Sequence, residues 1–414
     1  MFLYLNRYVS VRSLLLTGIV SAGVLSGAVA HADDVLGQVV GKDLQQAQAA
    51  LAAKNYTKAM SAVNAADAVK GKTDYEAYTT AQMRAAVAAQ SGDVEAAIKA
   101  YDVLIASSRT PKEAKAQMLM AEASLAYNAK NYPVAIKAIE KYLNQHGSDA
   151  RMQTMLIQSY YLQSDWKNTA RVAQEVVDST LKAHRIPVES QLQMLATAYT
   201  NLKDTNAKTH VYVLLAKYYS KPDYWSVLVH DLVANPNLSP SLVFYVERLR
   251  LATGVLKNPS DYQDMGERAV QMGLSQLGLN LLDQGYANKV LGSGSTAQAD
   301  AKFRSFVAQH AATERAQLPQ LVEAAGTSTN AAAPLTAGYN LVLNGKVDQG
   351  LALMRRGLAK NPRYPALAQL QYGMAQMDGG HKAEAIKTLN AISDQGATKD
   401  VAELWGLLLE RSIH

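Results

Sequence analysis

The 414-residue chain has no cysteine, only three tryptophans and four phenylalanines, and charged residues make up just 18% of it. Without cysteine there is no disulfide and no thiol nucleophile. The eight histidines (His31, His146, His184, His210, His230, His310, His381 and His414) stand apart from one another, and none pairs at metal-ligand spacing. No Gly-rich loop follows a strand and opens a helix. "LGSGST" (291–296) has glycines but lacks the lysine of a phosphate loop, and no G-x-S-x-G element occurs. A formal charge of +6 is too small over this length to argue for nucleic acid. The sequence therefore implies no cofactor, no resident metal and no catalytic residue. Glu95, Glu122 and Glu140 read as acids on solvated helix faces.

What the chain does have is an apolar content of 49%, enough for a large core. One apolar run is set apart at the start. Arg7 and Arg12 precede the uncharged stretch "LLLTGIVSAGVL" (Leu14 to Leu25), and "AHA" places Ala30 and Ala32 before Asp33 and Asp34. This is the pattern of a cleavable secretory signal, with the cut expected after Ala32. The run is too short for a span, which needs roughly 17–25 apolar residues. Removing Arg7 and Arg12 lowers the charge from +6 to +4. The expectation is an exported chain in a periplasm of Gram-negative type, with no transmembrane segment in its mature form.

One kind of segment then recurs. "AAKNYTKAMSAVNAA" begins at Ala52, "AQSGDVEAAIKAYDVLI" at Ala89 and "NAKNYPVAIKAIEKYL" at Asn128. "LNGKVDQGLALMRRGLAKNP" begins at Leu343 and "MDGGHKAEAIKTLNAI" at Met377. Each opens on a Gly, Asn or Asp turn, and a small residue then starts an apolar helical stripe. Ala59, Ala97 and Ala135 follow one another at 38 residues, and Gly350 and Ala385 at 35. Thr169, Lys208, Ser241 and Gly278 fall near the same position in looser units. "WSVLVHDL" carries Trp225, Leu228 and Leu232, and "LQMLATAY" carries Leu192, Leu195, Ala196 and Tyr199. Gly266, Gly338 and Gly373 occupy small positions in the preceding helices, and Pro362 closes a unit.

In spacing and motif the chain resembles the tetratricopeptide repeat family. The resemblance implies an all-α fold, a right-handed superhelix or α-solenoid of antiparallel helix pairs. Tyr101, Ile139 and Leu389 would fill its interior, and Trp405 and Leu408 would face inward from a C-terminal capping helix. The organisation expected is a signal peptide over 1–32, a long array over 33–292, a degenerate unit with linkers over 293–334, and a final pair with its cap over 335–414. "YYSKPDYW" (218–225) reads as a helix-ending turn whose Trp225 packs into the next helix.

The resemblance also implies that the first helix of each pair lines a groove. The residues expected there are Gln117, Tyr127, Asn128, Arg151, Gln158, Tyr161, Gln193, Asn201 and His230, mostly uncharged amides and phenols that suit an extended peptide backbone or a glycan. Gln82, Met120 and Thr154 stand where a lysine that grips a terminal carboxylate would be expected, which puts that mode in doubt. The function implied is a non-catalytic scaffold for protein partners or a peptide segment in envelope assembly or transport. The alternatives are a component of exopolysaccharide export and, behind it, a helical-superhelix wall hydrolase.

Overall fold

A computed structural model describes residues 35–234, 238–393 and 396–411; the expected signal peptide lies outside them. Among the described residues the fold is all-α, an array of antiparallel helix pairs, and no strand is present. The chain divides into two compact units, with the boundary between Thr205 and Asn206. Unit 1 holds α1 (Gln38–Ala52), α2 (Tyr56–Ala68), α3 (Asp74–Ser91), α4 (Val94–Ala106), α5 (Lys112–Asn128), α6 (Tyr132–His146), α7 (Ala150–Leu162), α8 (Trp166–Lys182) and α9 (Glu189–Asn201). Unit 2 opens with α10 (Thr205–Tyr218), whose first residue is the last of unit 1. It continues through α11 (Pro222–Val233), α12 (Pro240–Ala252), α13 (Pro259–Gln271), α14 (Ser275–Ala287) and α15 (Ala297–Thr327). Then come α16 (Ala332–Leu343), α17 (Val347–Leu358), α18 (Pro365–Asp378), α19 (Lys382–Asn390) and α20 (Ala397–Arg411).

The recurring segment of the sequence is a turn and the helix that follows it. After α1 the chain places Lys54 in the left-handed region, at φ 58°. The Asn55 N–H donates to the Ala50 carbonyl and the Lys54 N–H to that of Leu51, which satisfies two carbonyls at the helix end. Asn55 then caps α2 by accepting from the Lys58 N–H. The same backbone turn recurs at Gly92, Lys130, Ser164, Lys203, Gly273, Gly345 and Gly380. Five residues after each stands the small position: Ala59, Ala97, Ala135, Thr169, Lys208, Gly278, Gly350 and Ala385. Asp93 and Asp165 cap α4 and α8 as Asn55 caps α2. Glycine takes the left-handed residue without steric cost, whereas lysine or serine there is strained by its Cβ.

Twelve residues before the small position lies its partner in the first helix: Ala47, Ala85, Ala123, Gly266, Gly338 and Gly373. All are buried. The approach is closest between α16 and α17. A Cβ on Gly350 would stand 2.4 Å from the Gly338 oxygen, and one on Gly338 would stand 2.7 Å from the Gly350 oxygen. Around these contacts Tyr101, Ile139 and Leu389 are buried, as the repeat reading expects. Trp225 is a core residue of unit 2, and its Nε1 donates to the Ser220 hydroxyl at 2.9 Å.

Two positions depart from the repeat. Lys208 takes the small position but reaches out of it, its Nζ 3.1 Å from Asp231 Oδ2 on α11. Ser241 is exposed near the start of α12 and is no packing residue.

The compact units do not divide at the seam expected near residue 292. The 293–334 stretch holds one 31-residue helix, α15, after a short 3-10 turn at Gly294–Thr296. Polar bonds tie α15 into unit 2. Gln263 on α13 donates to Asp300, the Ser275 N–H and hydroxyl donate to Glu314, and Arg315 donates to Gln276 and to Asn344. Flexible loop composition on either side of the helix does not report these bonds.

The last helix does more than cover the end of the array. α20 packs against α18 and α19 and also against α11 and α12. Trp405 is buried and donates from Nε1 to the Tyr245 carbonyl, and Arg411 donates to that of Ala216. Leu408 is partly buried against the same core. Unit 2 thus closes on itself through one continuous apolar core running from Ala216 to Leu409.

Two substitutions test this account. Gly350→Ala forces a methyl into the Gly338 backbone and is expected to destabilise unit 2 by about 3 kcal/mol, the upper range for overpacking. Lys130→Gly removes left-handed strain and is expected to stabilise unit 1 by roughly 1 kcal/mol. Urea unfolding of both variants checks the opposite signs.

Candidate functional site

The groove residues expected from sequence sit mainly on three neighbouring first helices of unit 1. Gln117, Tyr127 and Asn128 lie on α5, Arg151, Gln158 and Tyr161 on α7, and Gln193 and Asn201 on α9. α5 packs beside α7, and α7 beside α9. His230 lies on α11 of unit 2, with its side chain 80% exposed and Nδ1 3.7 Å from Asp231 Oδ1.

Helical spacing sorts these residues into stripes. Gln117, Ala121, Ser124 and Asn128 run down α5, Arg151, Met155, Gln158 and Leu162 down α7, and Gln193, Thr197 and Asn201 down α9. Gln117, Asn128, Arg151, Gln193 and Asn201 are exposed, while Tyr127, Gln158 and Tyr161 are half-buried. Among the residues of these three stripes, Arg151 is the one that carries a charge. The hydroxyls of Ser124 and Thr197 turn back to the Met120 and Gln193 carbonyls, and the Asn201 amide donates to the Thr197 carbonyl.

Two bonds join the helices edge to edge. The Tyr127 hydroxyl donates to Gln158 Oε1 at 3.2 Å, and Gln191 Nε2 donates to the Thr154 hydroxyl at 3.0 Å. The first unites two residues that sequence placed in the groove. The second involves Thr154, which sequence placed where a carboxylate-gripping lysine would stand, and Gln191, which that reading did not include. Gln191 is buried, and only its distance from Thr154 in space, 37 residues away in sequence, reveals the role. The Tyr127 ring meets Tyr132 edge-on at 5.8 Å, and Tyr161 meets Trp166 likewise at 5.5 Å. Both phenols are therefore held in place by the second helix of their own pair.

Behind this surface, tyrosines tie each pair to the one before it. The Tyr160 hydroxyl donates to Glu140 Oε1 at 2.7 Å, and that of Tyr199 to Gln174 Oε1 at 3.0 Å. Burial, with the Glu140 bond second, pushes the Tyr160 hydroxyl up to about 12. Glu122, expected on a solvated face, is instead buried on α5 at 4% exposure. Burial, reinforced by the nearby Asp102 charge, pushes its carboxyl up to about 7.

Among the described residues no group of three or more His, Cys, Asp or Glu is placed to hold a metal ion, and no helix is long and apolar enough to cross a membrane. A buried polar cluster lies in the core of unit 2. The Arg248 guanidinium donates to Asp378 Oδ1 at 2.7 Å and to the Tyr339 hydroxyl at 3.2 Å, and that hydroxyl donates to Asp378 Oδ2 at 2.6 Å. Burial pushes the Tyr339 hydroxyl well above its ordinary range, and the Asp378 charge adds to the shift.

No family model and no curated protein matches the chain. Solved structures align with it over long stretches at low similarity. The TPR2AB-domain:pHSP90 complex of yeast Sti1 is 13% identical, over 72% of this chain and 99% of that one, with a TM-score of 0.25. Yeast Tom70 is 10% identical, over 90% and 96%, with a TM-score of 0.23. Naa15/Naa10 bound to HypK-THB is 13% identical, over 86% of this chain and 59% of that one, at 0.31. At these values the likeness adds nothing to the helix pairing described above.

The buried carboxyl of Glu122 gives a pH dependence. In the unfolded chain it loses its proton near pH 4.5, whereas in the fold it keeps it to about pH 7. The folded state binds the extra proton in that window, so this group's contribution to stability is present below pH 4.5 and is lost as pH rises to 7. Glu122→Gln is expected to remove the slope and to recover up to roughly 3 kcal/mol at pH 7 or above. Denaturant midpoints of both forms at pH 5 and pH 8 check it.

Proposed function

We propose that the chain is a non-catalytic, tetratricopeptide-type scaffold that holds an extended protein segment along the first-helix face of unit 1. The observation that carries this reading is the run of amides on adjacent, cross-tied helices: Gln117 and Asn128, Gln158, then Gln193 and Asn201. An amide presents both a donor and an acceptor, as a peptide backbone does. Nearly uncharged, such a surface recognises backbone and shape rather than a charged motif. The leader pattern over 1–32 supports export, so the partner belongs to the cell envelope.

A glycan offers the same donors and acceptors and stacks on phenol rings, and Tyr127 and Tyr161 stand beside the amides. A role in exopolysaccharide export is therefore the second reading. The wall-hydrolase alternative is weaker, because the 293–334 region is one helix with short flanks rather than a separate domain.

Photo-crosslinkers at Asn128 and Gln193, with one at Lys99 on α4 as control, test the face in intact cells. A protein partner captured from 128 and 193, with capture from 128 lost in the Gln158→Ala/Gln193→Ala variant at unchanged helix content, is the expected result. Capture from Lys99 alone, or capture indifferent to the double variant, overturns the reading. A crosslinked species that resists protease and contains sugar favours the glycan. Export is checked separately: cell fractionation is expected to find the chain in the periplasm with Asp33 at its N-terminus, and an uncleaved Met1 form as the sole species refutes it.

A further inference from the structure

Unit 2 contains a cavity at the place where it closes. α12, α14, α18, α19 and α20 line a half-open cleft of about 360 Å³. That volume is within the roughly 300–1,000 Å³ of small-molecule sites. Its walls are apolar, with Leu251, Leu281, Met377 and Trp405 among them. Two cations line it as well: Arg248, 6% exposed, and Lys382, exposed in the first turn of α19.

Charge at the site is not balanced. Asp378 takes up one positive charge by its bond to Arg248 and lies beside the cavity rather than on its wall. Lys382 leaves the lining with a net positive charge. Arg248 is also fixed in place. The Asp378 and Tyr339 bonds hold its planar group, and Trp405 and Phe244 flank it with ring centroids 5.8 and 5.9 Å from Cζ. Arg248 is thus a buried, fixed cation on the lining of a mostly apolar space, and with Lys382 beside it the site favours an anionic group. The amide of Gln284 adds a neutral donor and acceptor to the lining.

The geometry points to a binding site for a small amphipathic monoanion, a carboxylate with an apolar body, its head between Arg248 and Lys382 and its chain against Leu251, Leu281 and Trp405. The site belongs to unit 2 alone and is independent of the first-helix face of unit 1.

Isothermal titration of the whole mature chain with decanoate, and with decanol as its neutral counterpart, tests the assignment. Saturable one-to-one binding of decanoate is expected, with decanol at least tenfold weaker. Leu281→Trp fills the cavity and is expected to abolish binding while the far-ultraviolet spectrum is unchanged. Should that variant fail to fold, Lys382→Gln serves: on the exposed rim it leaves the core intact and is expected to weaken decanoate several-fold without affecting decanol. No saturable heat with decanoate, equal affinity for decanol, or decanoate binding undiminished in the folded variants overturns the proposal.

Discussion

Two helix backbones can come into contact only where both have given up their side chains, and this protein is organised around such points. In α16 and α17 the Gly338 and Gly350 oxygens stand 2.4 and 2.7 Å from where the other residue's Cβ would be. Gly266 faces Gly278 and Gly373 faces Ala385 across the same twelve-residue interval, and in the first three pairs of unit 1 alanine faces alanine. Once the crossing point is fixed, the number of residues between it and the turn is fixed too. The turn must then reverse the chain at one place, which demands a left-handed residue five positions before the second crossing point. Identical geometry in successive pairs is what lets them stack, because each pair leaves a face that only a similar neighbour covers.

This constraint explains how much of the fold was legible in the sequence. Small residues at steady intervals are visible in one dimension, and Ala59, Ala97, Ala135, Gly350 and Ala385 mark real crossings. Their first-helix partners Ala47, Ala85 and Ala123 are harder to see, since alanine is common everywhere in this chain. Loop composition flanks α15, while the bonds that hold α15 to α13, α14 and α16 join residues far apart in sequence, so the tie of this helix to unit 2 was not legible. Ser241 failed for a related reason: a small residue in roughly the right place carries no signal of which way it faces.

The candidate site was legible as a list and not as a surface. The repeat resemblance put Gln117, Asn128, Gln158 and Gln193 on first helices, and they lie on α5, α7 and α9. It could not show that Tyr127 bonds to Gln158, or that Gln191 anchors to Thr154. Those ties matter for recognition. An amide already held in one orientation loses less freedom when a partner arrives, so cross-tied helices make a better template than the same residues on independent ones. Glu122 and Arg248 were equally hidden. A charge on a helical stripe looks solvated until its neighbours are known, and Arg248 meets Tyr339 and Asp378 across 91 and 130 residues.

The closure of unit 2 separates it from an open stack of repeats. In an open stack each pair depends on its neighbours alone, so growth can proceed from one end as the chain leaves the ribosome. Here Trp405 bonds to the backbone of Tyr245, 160 residues earlier, and Arg411 reaches back to Ala216. The inner face of α12 therefore stays uncovered until nearly the whole chain has been made. Closure turns a string of local decisions into a single late one, and the interval before it is when this unit most needs protection from association with other chains.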